Sequence, residues 1–338
     1  MRILVTGGAG FIGSNYIRLT LEESPDVSIV NLDALTYSGN LNNLSDVQEN
    51  FPERYSFFKG DICDPDAVEK ALDQNNIDII INFAAETHVD RSIADAEKFI
   101  STNIIGTRIL LEAAVKSAVD LFIQVSTDEV YGSLGPEGEF TEESPVMPNS
   151  PYAASKAAAD HFVRAYHNTY NVPTIITRCS NNYGPYQFPE KIIPLFITNA
   201  LENKALPLYG DGKNIRDWIH VADHAAALNL IVSKGRIGEV YNIGAHNELE
   251  NRTIAEMILD YLDKPYDLVV SVKDRPGHDR RYSINSSKLK KETGWEPQIS
   301  FEKGLTETIE WYKNNTDWIK GVITKEYREY YSMMYGSC

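Results

Sequence analysis

Ile3-Leu4-Val5-Thr6-Gly7-Gly8-Ala9-Gly10-Phe11-Ile12-Gly13 opens the chain. Its three apolar residues make a short buried strand, and helix-compatible sequence follows through Glu22. Between them the glycines fit two overlapping spacings, Gly8-x-Gly10-x-x-Gly13 and Gly7-x-x-Gly10-x-x-Gly13. Glycines allow a tight turn and a close approach of backbone N–H groups to a pyrophosphate, where the helix N-terminus adds partial positive charge. A glycine pattern alone is weak. Here a second strand, Ser28 to Leu32, ends in Asp33, twenty residues after Gly13. A carboxylate at that place accepts the ribose hydroxyls of an adenosine and repels a 2′-phosphate, which predicts NAD rather than NADP.

Working outward, strand and helix keep alternating. Tyr55-Ser56-Phe57-Phe58 leads into Gly60-Asp61-Ile62, with Asp61 placed to reach an adenine amino group. Ile77 to Phe83 reads as a buried strand ending in Ala84-Ala85, small enough for the backbone to approach a cofactor, and Glu86-Thr87-His88 follow at the same sheet edge. Ile100 to Lys116 reads as one helix, and Pro173 to Thr177 as a sixth strand that runs toward Asn181-Asn182-Tyr183-Gly184-Pro185. This βαβ succession predicts an α/β fold with a doubly wound parallel sheet over residues 1–185. Residues 186–338 are expected to form a smaller domain, with a return to the first near 217–245.

A second passage carries chemistry. The apolar run Leu121 to Val125 delivers Ser126-Thr127-Asp128-Glu129, a hydroxyl and two adjacent carboxylates, at the edge where parallel sheets hold ligands. Tyr152 and Lys156 stand at i and i+4, on one face of a helix. An Asp-Glu pair after a strand is commonly a solvated turn, and Tyr-x-x-x-Lys arises by chance; their company is what gives them weight. Successive strand residues point to opposite faces, so Asp128 and Glu129 converge only where the strand bends, and Val130-Tyr131-Gly132 is the expected bend.

The chain has 338 residues, 43% hydrophobic and 24% charged, as two ordinary globular domains would have. Its net charge of -16 argues against a general nucleic-acid binder, which needs clustered Lys and Arg. Cys63, Cys179 and Cys338 lack metal-type spacing and fit a reducing compartment. With no signal-peptide pattern after Met1-Arg2 and no long apolar run, a cytoplasmic protein is expected. His220 and His224 are four apart, but no Glu follows His220 and no further ligands cluster, so no metal site is expected. They belong to Arg216-Asp217-Trp218-Ile219-His220-Val221, read as a strand returning into a helix. The tyrosines of the tail, Tyr327, Tyr330, Tyr331 and Tyr335, read as a packed helix rather than a binding surface.

Taken together, the glycine loop, Asp33, Gly60-Asp61-Ile62, Ser126-Thr127, Tyr152-x-x-x-Lys156 and Asn181 to Pro185 resemble the extended short-chain dehydrogenase/reductase family. Within it Thr127-Asp128-Glu129 resembles the dTDP-glucose 4,6-dehydratase branch; related 4-epimerases usually place small or hydroxyl residues at those two acidic positions. The likeness runs to about Trp311. It implies a Rossmann-type domain holding NAD through Gly7, Gly10, Phe11, Ile12, Gly13, Asp33, Ala34, Leu35, Thr36, Asp61, Ile62, Phe83, Ala84, Ala85, Glu86, Thr102, Tyr152, Lys156 and Asn182. It implies nucleotide-sugar contacts from Thr87, His88, Thr127, Asn181, Glu190, Lys191, Ile192, Pro207, Leu208, Tyr209, Arg216, Asn251, Asp274, Arg275 and His278. A homodimer packed through the helices near Ile100–Lys116 and Tyr152–Tyr170 and a place in deoxysugar biosynthesis are implied in the same way.

The chemistry explains why such residues are needed. The C5 proton of a glucosyl unit is not acidic until C4 is a ketone. Tyr152 is then the base on the C4 hydroxyl, with its pKa lowered by the Lys156 ammonium, and Thr127 shares the C4 oxygen. Glu129 takes the C5 proton, and Asp128 protonates the departing C6 hydroxyl. Planar guanidinium groups such as Arg216 and Arg275 suit a diphosphate. Two other readings stay open: a nucleotide-sugar 4-epimerase, which has no use for the Asp128–Glu129 pair, and an NAD-sensing regulator without turnover.

Overall fold

The computed structural model describes residues 1–336, apart from the side chains of Lys325, Glu326 and Tyr330; Cys338 lies outside the described residues. Ile3, Leu4 and Val5 are fully buried because strands flank them on both sides. The strands are β1 (Arg2–Thr6), β2 (Ser28–Asp33), β3 (Tyr55–Lys59), β4 (Ile79–Asn82), β5 (Leu121–Thr127), β6 (Thr174–Cys179), β7 (Asn181–Tyr183), β8 (Leu206–Tyr209), β9 (Ile215–His220), β10 (Val240–Ile243), β11 (Glu248–Glu250) and β12 (Val269–Val272). A seven-stranded sheet runs β10-β6-β5-β4-β1-β2-β3, and every pairing in it is parallel. The order reverses between β1 and β4, which opens a crevice at the carboxyl ends of the strands.

Both faces of this sheet are covered, as its near-continuous apolar strands require. On one face Tyr16, Ile17 and Leu21 of the Phe11–Glu23 helix meet Leu228 and Ile231 of the Val221–Lys234 helix. On the other, Val68, Leu110, Leu111 and Val163 pack from three helices. The remaining strands form two small sheets, β11-β9-β7 and β12-β8, around a separate core that includes Phe196, Trp218, Ile258, Phe301 and Ile309.

Two sequence expectations need correction here. The segment read as one helix from Ile100 starts as a π-helix over Ile100–Gly106 and becomes α-helical only over Thr107–Ser117. The return near 217–245 is made by the Val221–Lys234 helix and β10, while β9 stays in a small sheet between β7 and β11.

Candidate active site

The crevice at the strand ends is a cavity of about 280 Å³, lined by the glycine loop at one end and by Thr127, Asp128, Glu129, Tyr152 and Lys156 at the other. A second cavity of about 150 Å³ continues from it, with Thr87, Glu129, Asn181, Glu190 and Lys191 on the wall of both.

The glycine loop is dictated by close contacts. Gly7 has φ +69, and a side chain there would meet the Ala84 backbone at 2.7 Å. At Gly13 a Cβ would stand 2.6 Å from the Gly7 carbonyl. Asp33 sits beneath the loop, its two carboxylate oxygens accepting from Ala9 N at 2.9 Å and Leu35 N at 2.8 Å. Burial raises its pKa, and those two donors pull it back. Phe11, Ile12, Ala34, Thr36, Asp61, Ile62, Phe83, Ala85, Glu86, Thr102 and Asn182 line the same cavity. Leu35 does not: at φ +56 its N–H is turned onto Asp33 and its side chain leaves the wall.

At the chemical end the strand stops two residues before the expected bend would end it. β5 ends at Thr127, whose extended backbone caps a 3-10 turn over Asp128–Tyr131 and whose hydroxyl accepts from Glu129 N at 3.2 Å. The bend therefore begins at Asp128 and runs through the expected Val130 and Tyr131 to Gly132 at φ +86, and this swings both carboxyls into one cavity. Their surroundings then separate them. Asp128 is 2% exposed, and burial followed by the charges of Glu129 and Asp217 holds its carboxyl well above the usual range. Glu129 is also raised by burial, but Arg275, Arg216 and Lys191 pull it down. The difference favours a protonated Asp128 beside an ionised Glu129.

Ser150 and Pro151 start the helix that carries Tyr152 and Lys156, the Ser150 hydroxyl accepting from Ala153 N at 3.1 Å. The Tyr152 phenol lies beside the Thr127 hydroxyl, and its ring meets Phe99 edge-on at 6.3 Å. One expectation fails. Burial and then Glu129 hold the Tyr152 phenol well above its usual value, and Lys156 is not what offsets them. The Lys156 ammonium donates to the Val125 carbonyl at 2.7 Å, which leaves two of its three donors for a ligand. The π-helix adds a residue the sequence had not marked. Asn103 accepts from Glu86 N at 2.9 Å, donates to Glu86 O at 3.0 Å and to Ser155 at 2.8 Å, tying the β4 loop to the tyrosine helix. A π-turn at a site was the only available signal, and periodicity does not show one.

The second cavity collects cations in an acidic chain. Arg216 donates to the Asp279 carbonyl at 3.0 Å and lies 4.4 Å over the Tyr282 ring, Lys191 donates to Thr87 O at 2.9 Å, and Arg275 stands 3.5 Å from Asp90 with its Nε buried and unpartnered. The Asn181 Oδ1 is likewise buried without a partner. His88, Ile192, Pro207, Leu208, Tyr209, Asn251 and His278 also line the wall. Glu190 lines it too, yet its carboxylate is occupied: Tyr37 donates to it at 2.8 Å and Arg91 pairs with it at 3.2 Å. Asp274 is outside the wall, because its carboxylate turns to His278 at 2.6 Å and to Arg275 N at 2.9 Å. His220 and His224 pair locally instead, with Ala222 N at 3.3 Å and Asn182 at 2.9 Å.

Sequence reasoning missed Asp90, Tyr282 and Tyr335 on this wall. Tyr335 corrects the reading of the tail. The helix Lys325–Tyr335 does pack, through Tyr327 and Tyr331, but its last tyrosine reaches the cavity and meets Tyr209 at 6.1 Å.

With this geometry in hand, comparison with known proteins is informative. The sequence model of the family described as GDP-mannose 4,6 dehydratase matches residues 4–308. The chain belongs to that family. A dTDP-glucose 4,6-dehydratase of Xanthomonas campestris pv. campestris is 50% identical over 343 residues, covering 96% of this chain and 97% of its own. The crystal structure of a dTDP-glucose 4,6-dehydratase from Bacillus anthracis in complex with NAD superposes with a TM-score of 0.89 at 52% identity, covering 95% of this chain and 99% of that one. A Thermus thermophilus UDP-glucose 4-epimerase complexed with NAD shares the architecture at TM-score 0.86 but only 30% identity, over 93% and 100% of the two chains. Among the described residues no helix is long and apolar enough to cross a membrane.

Proposed function

We propose that this chain is an NAD-dependent hydro-lyase that converts dTDP-glucose to dTDP-4-keto-6-deoxyglucose and water. The observation that carries the reading is the 3-10 turn at Asp128, which sets two unlike carboxyls and the Tyr152 phenol on one cavity, beside a second cavity rich in cations. The residues fit the cofactor: the Gly7 and Gly13 cradle leaves no space for a Cβ, and Asp33 lies where an adenosine ribose would reach it. NAD, when bound, supplies the means to take a hydride from C4 and return it to C6.

Within that reading, Tyr152 takes the C4 hydroxyl proton as its phenolate, a form that the positive charge of bound NAD would favour against the burial that raises its pKa, while Thr127 holds the oxygen. Glu129, whose raised pKa is offset by the charges of Arg275, Arg216 and Lys191, takes the C5 proton, and Asp128, pushed further up by burial, gives its proton to the leaving C6 hydroxyl. Lys156 would hold the nicotinamide ribose with the donors that Val125 leaves it. Arg216, Arg275 and Lys191 hold the diphosphate, and Tyr209 with Tyr335 borders the nucleoside end. The seven-stranded body holds the cofactor and the smaller sheets the nucleotide sugar. A cytoplasmic homodimer belongs to the same reading, supported by the exposed Ile100, Ile105, Phe162 and Tyr170 on the helices expected to pair.

Incubation with dTDP-glucose followed by mass spectrometry tests the proposal. Loss of one water is the expected result; a changed sugar of unchanged mass would mean epimerisation, and binding of NAD without any product would mean a regulator.

A further inference from the structure

Residues after 308 lie beyond the family match, yet one of them reaches the glycine loop. Asn43, in the turn Leu41–Leu44 and 1% exposed, donates from Nδ2 to the Ala9 carbonyl at 2.9 Å. The Ala9 carbonyl also accepts from Asn40 N at 3.0 Å, and Ala9 N donates to Asp33, so this peptide between the glycines is held at both ends. On its other side the Asn43 Oδ1 accepts from the indole N–H of Trp318 at 2.8 Å. An indole N–H only donates and a carbonyl only accepts, so Trp318 and Ala9 together permit one orientation of the Asn43 amide. Loss of the indole donor would leave the buried Asn43 Oδ1 unpaired and the amide held from the Ala9 side alone.

Trp318 is itself held in place. Its ring packs on Trp311 at 5.1 Å and on Tyr186 at 6.0 Å. Tyr186 lines the cofactor cavity and carries Arg18 over its face at 4.7 Å, while Arg18 donates to the Asn43 carbonyl at 2.7 Å. The Thr316–Val322 helix and the dinucleotide loop are thus joined by hydrogen bonds and by an aromatic stack.

We propose that Trp318, acting through Asn43, is a positioning residue for the glycine loop, and that the C-terminal segment thereby sets how long the dinucleotide stays bound. A loop already held in its binding conformation loses less entropy on binding, and the dinucleotide leaves more slowly. The inference rests on the NAD reading above.

The test compares NAD dissociation from the full-length wild type, Trp318→Phe, Asn43→Ser and the double variant, with the thermal midpoint of each measured without added cofactor. Trp318→Phe keeps the stack and removes the donor. It should speed dissociation about tenfold, the equivalent of about 1.4 kcal/mol, with little change in midpoint. The double variant should be no faster than Asn43→Ser alone, since both act through one bond. Trp311→Phe, which shares the stack but not the bond, should leave dissociation unchanged. Equal acceleration by both tryptophan variants, or none by Trp318→Phe, would overturn the proposal. Failure of the wild type to bind NAD would instead remove the cofactor reading, and this inference with it.

Discussion

On the proposed reading, the two cavities would take their phosphate-bearing ligands by different means. The first is lined by backbone at a helix N-terminus, with glycines, Asp33 and Asp61, and no arginine contributes to its wall among the described residues. The second adds the side chains of Arg216 and Arg275, drawn from distant parts of the chain, to Lys191, which stands on the wall of both. In a protein of net charge -16 the contrast is instructive. Backbone dipoles bind an anion without adding net charge, and they are set by local geometry. Side-chain cations have to be gathered by the fold, and once gathered they also tune Glu129 at the junction.

That contrast can be broken at several points. The largest effect is expected at the junction: Glu129→Gln should lower dehydration about 10³-fold while C4 oxidation continues, so reduced cofactor accumulates in single-turnover absorbance. Unchanged dehydration would remove Glu129 from the mechanism. Next, the two phosphate devices should fail separately. Gly7→Ala, strained at φ +69 and pressed on Ala84, should weaken NAD binding by about 10². Arg216→Ala should raise the KM for dTDP-glucose by about 10² and leave NAD affinity alone. Calorimetry with each ligand checks both, and a shared loss would mean the cavities are not independent.

A smaller change is expected at the tail. Tyr335→Ala should raise the KM about tenfold with kcat and NAD affinity nearly unchanged, measured by steady-state kinetics.

The smallest effect concerns stability. The folded chain holds the Asp128 proton more tightly than the unfolded chain, whose carboxyl titrates near 3.9. Between that value and the higher folded one the unfolded state releases its proton first, so stability falls as pH rises. Asp128→Asn removes this loss. The variant should match the parent below about pH 4 and exceed it by about 2 °C in Tm at neutral pH, while losing dehydration. A variant less stable at every pH would mean that Asp128 is not held protonated.

Much of this was legible in the residues. The glycine loop, Asp33 and the strand succession stand close together in sequence, and their spacing follows from the geometry of one βαβ unit. Tyr152 and Lys156 were legible for the same reason, sharing a helix face at i and i+4. Asn103 was hidden because a π-turn leaves no periodic mark, and Asp90, Tyr282 and Tyr335 because nothing local distinguishes a wall residue from a surface one. Leu35 and Asp274 were carried into the site by neighbouring motifs, but each is turned onto a local hydrogen-bond partner.

What the sequence determined by itself is the parallel sheet, the dinucleotide loop and the identity of the acidic, phenolic and amine groups, because short-range spacing and side-chain chemistry are enough to specify them. Only the tertiary structure decided that the strand breaks at Thr127, that one carboxyl of an adjacent pair is buried while the other faces arginines, and that Trp318 holds Asn43. Those outcomes depend on burial and on contacts between residues up to hundreds of positions apart, and no local pattern encodes them.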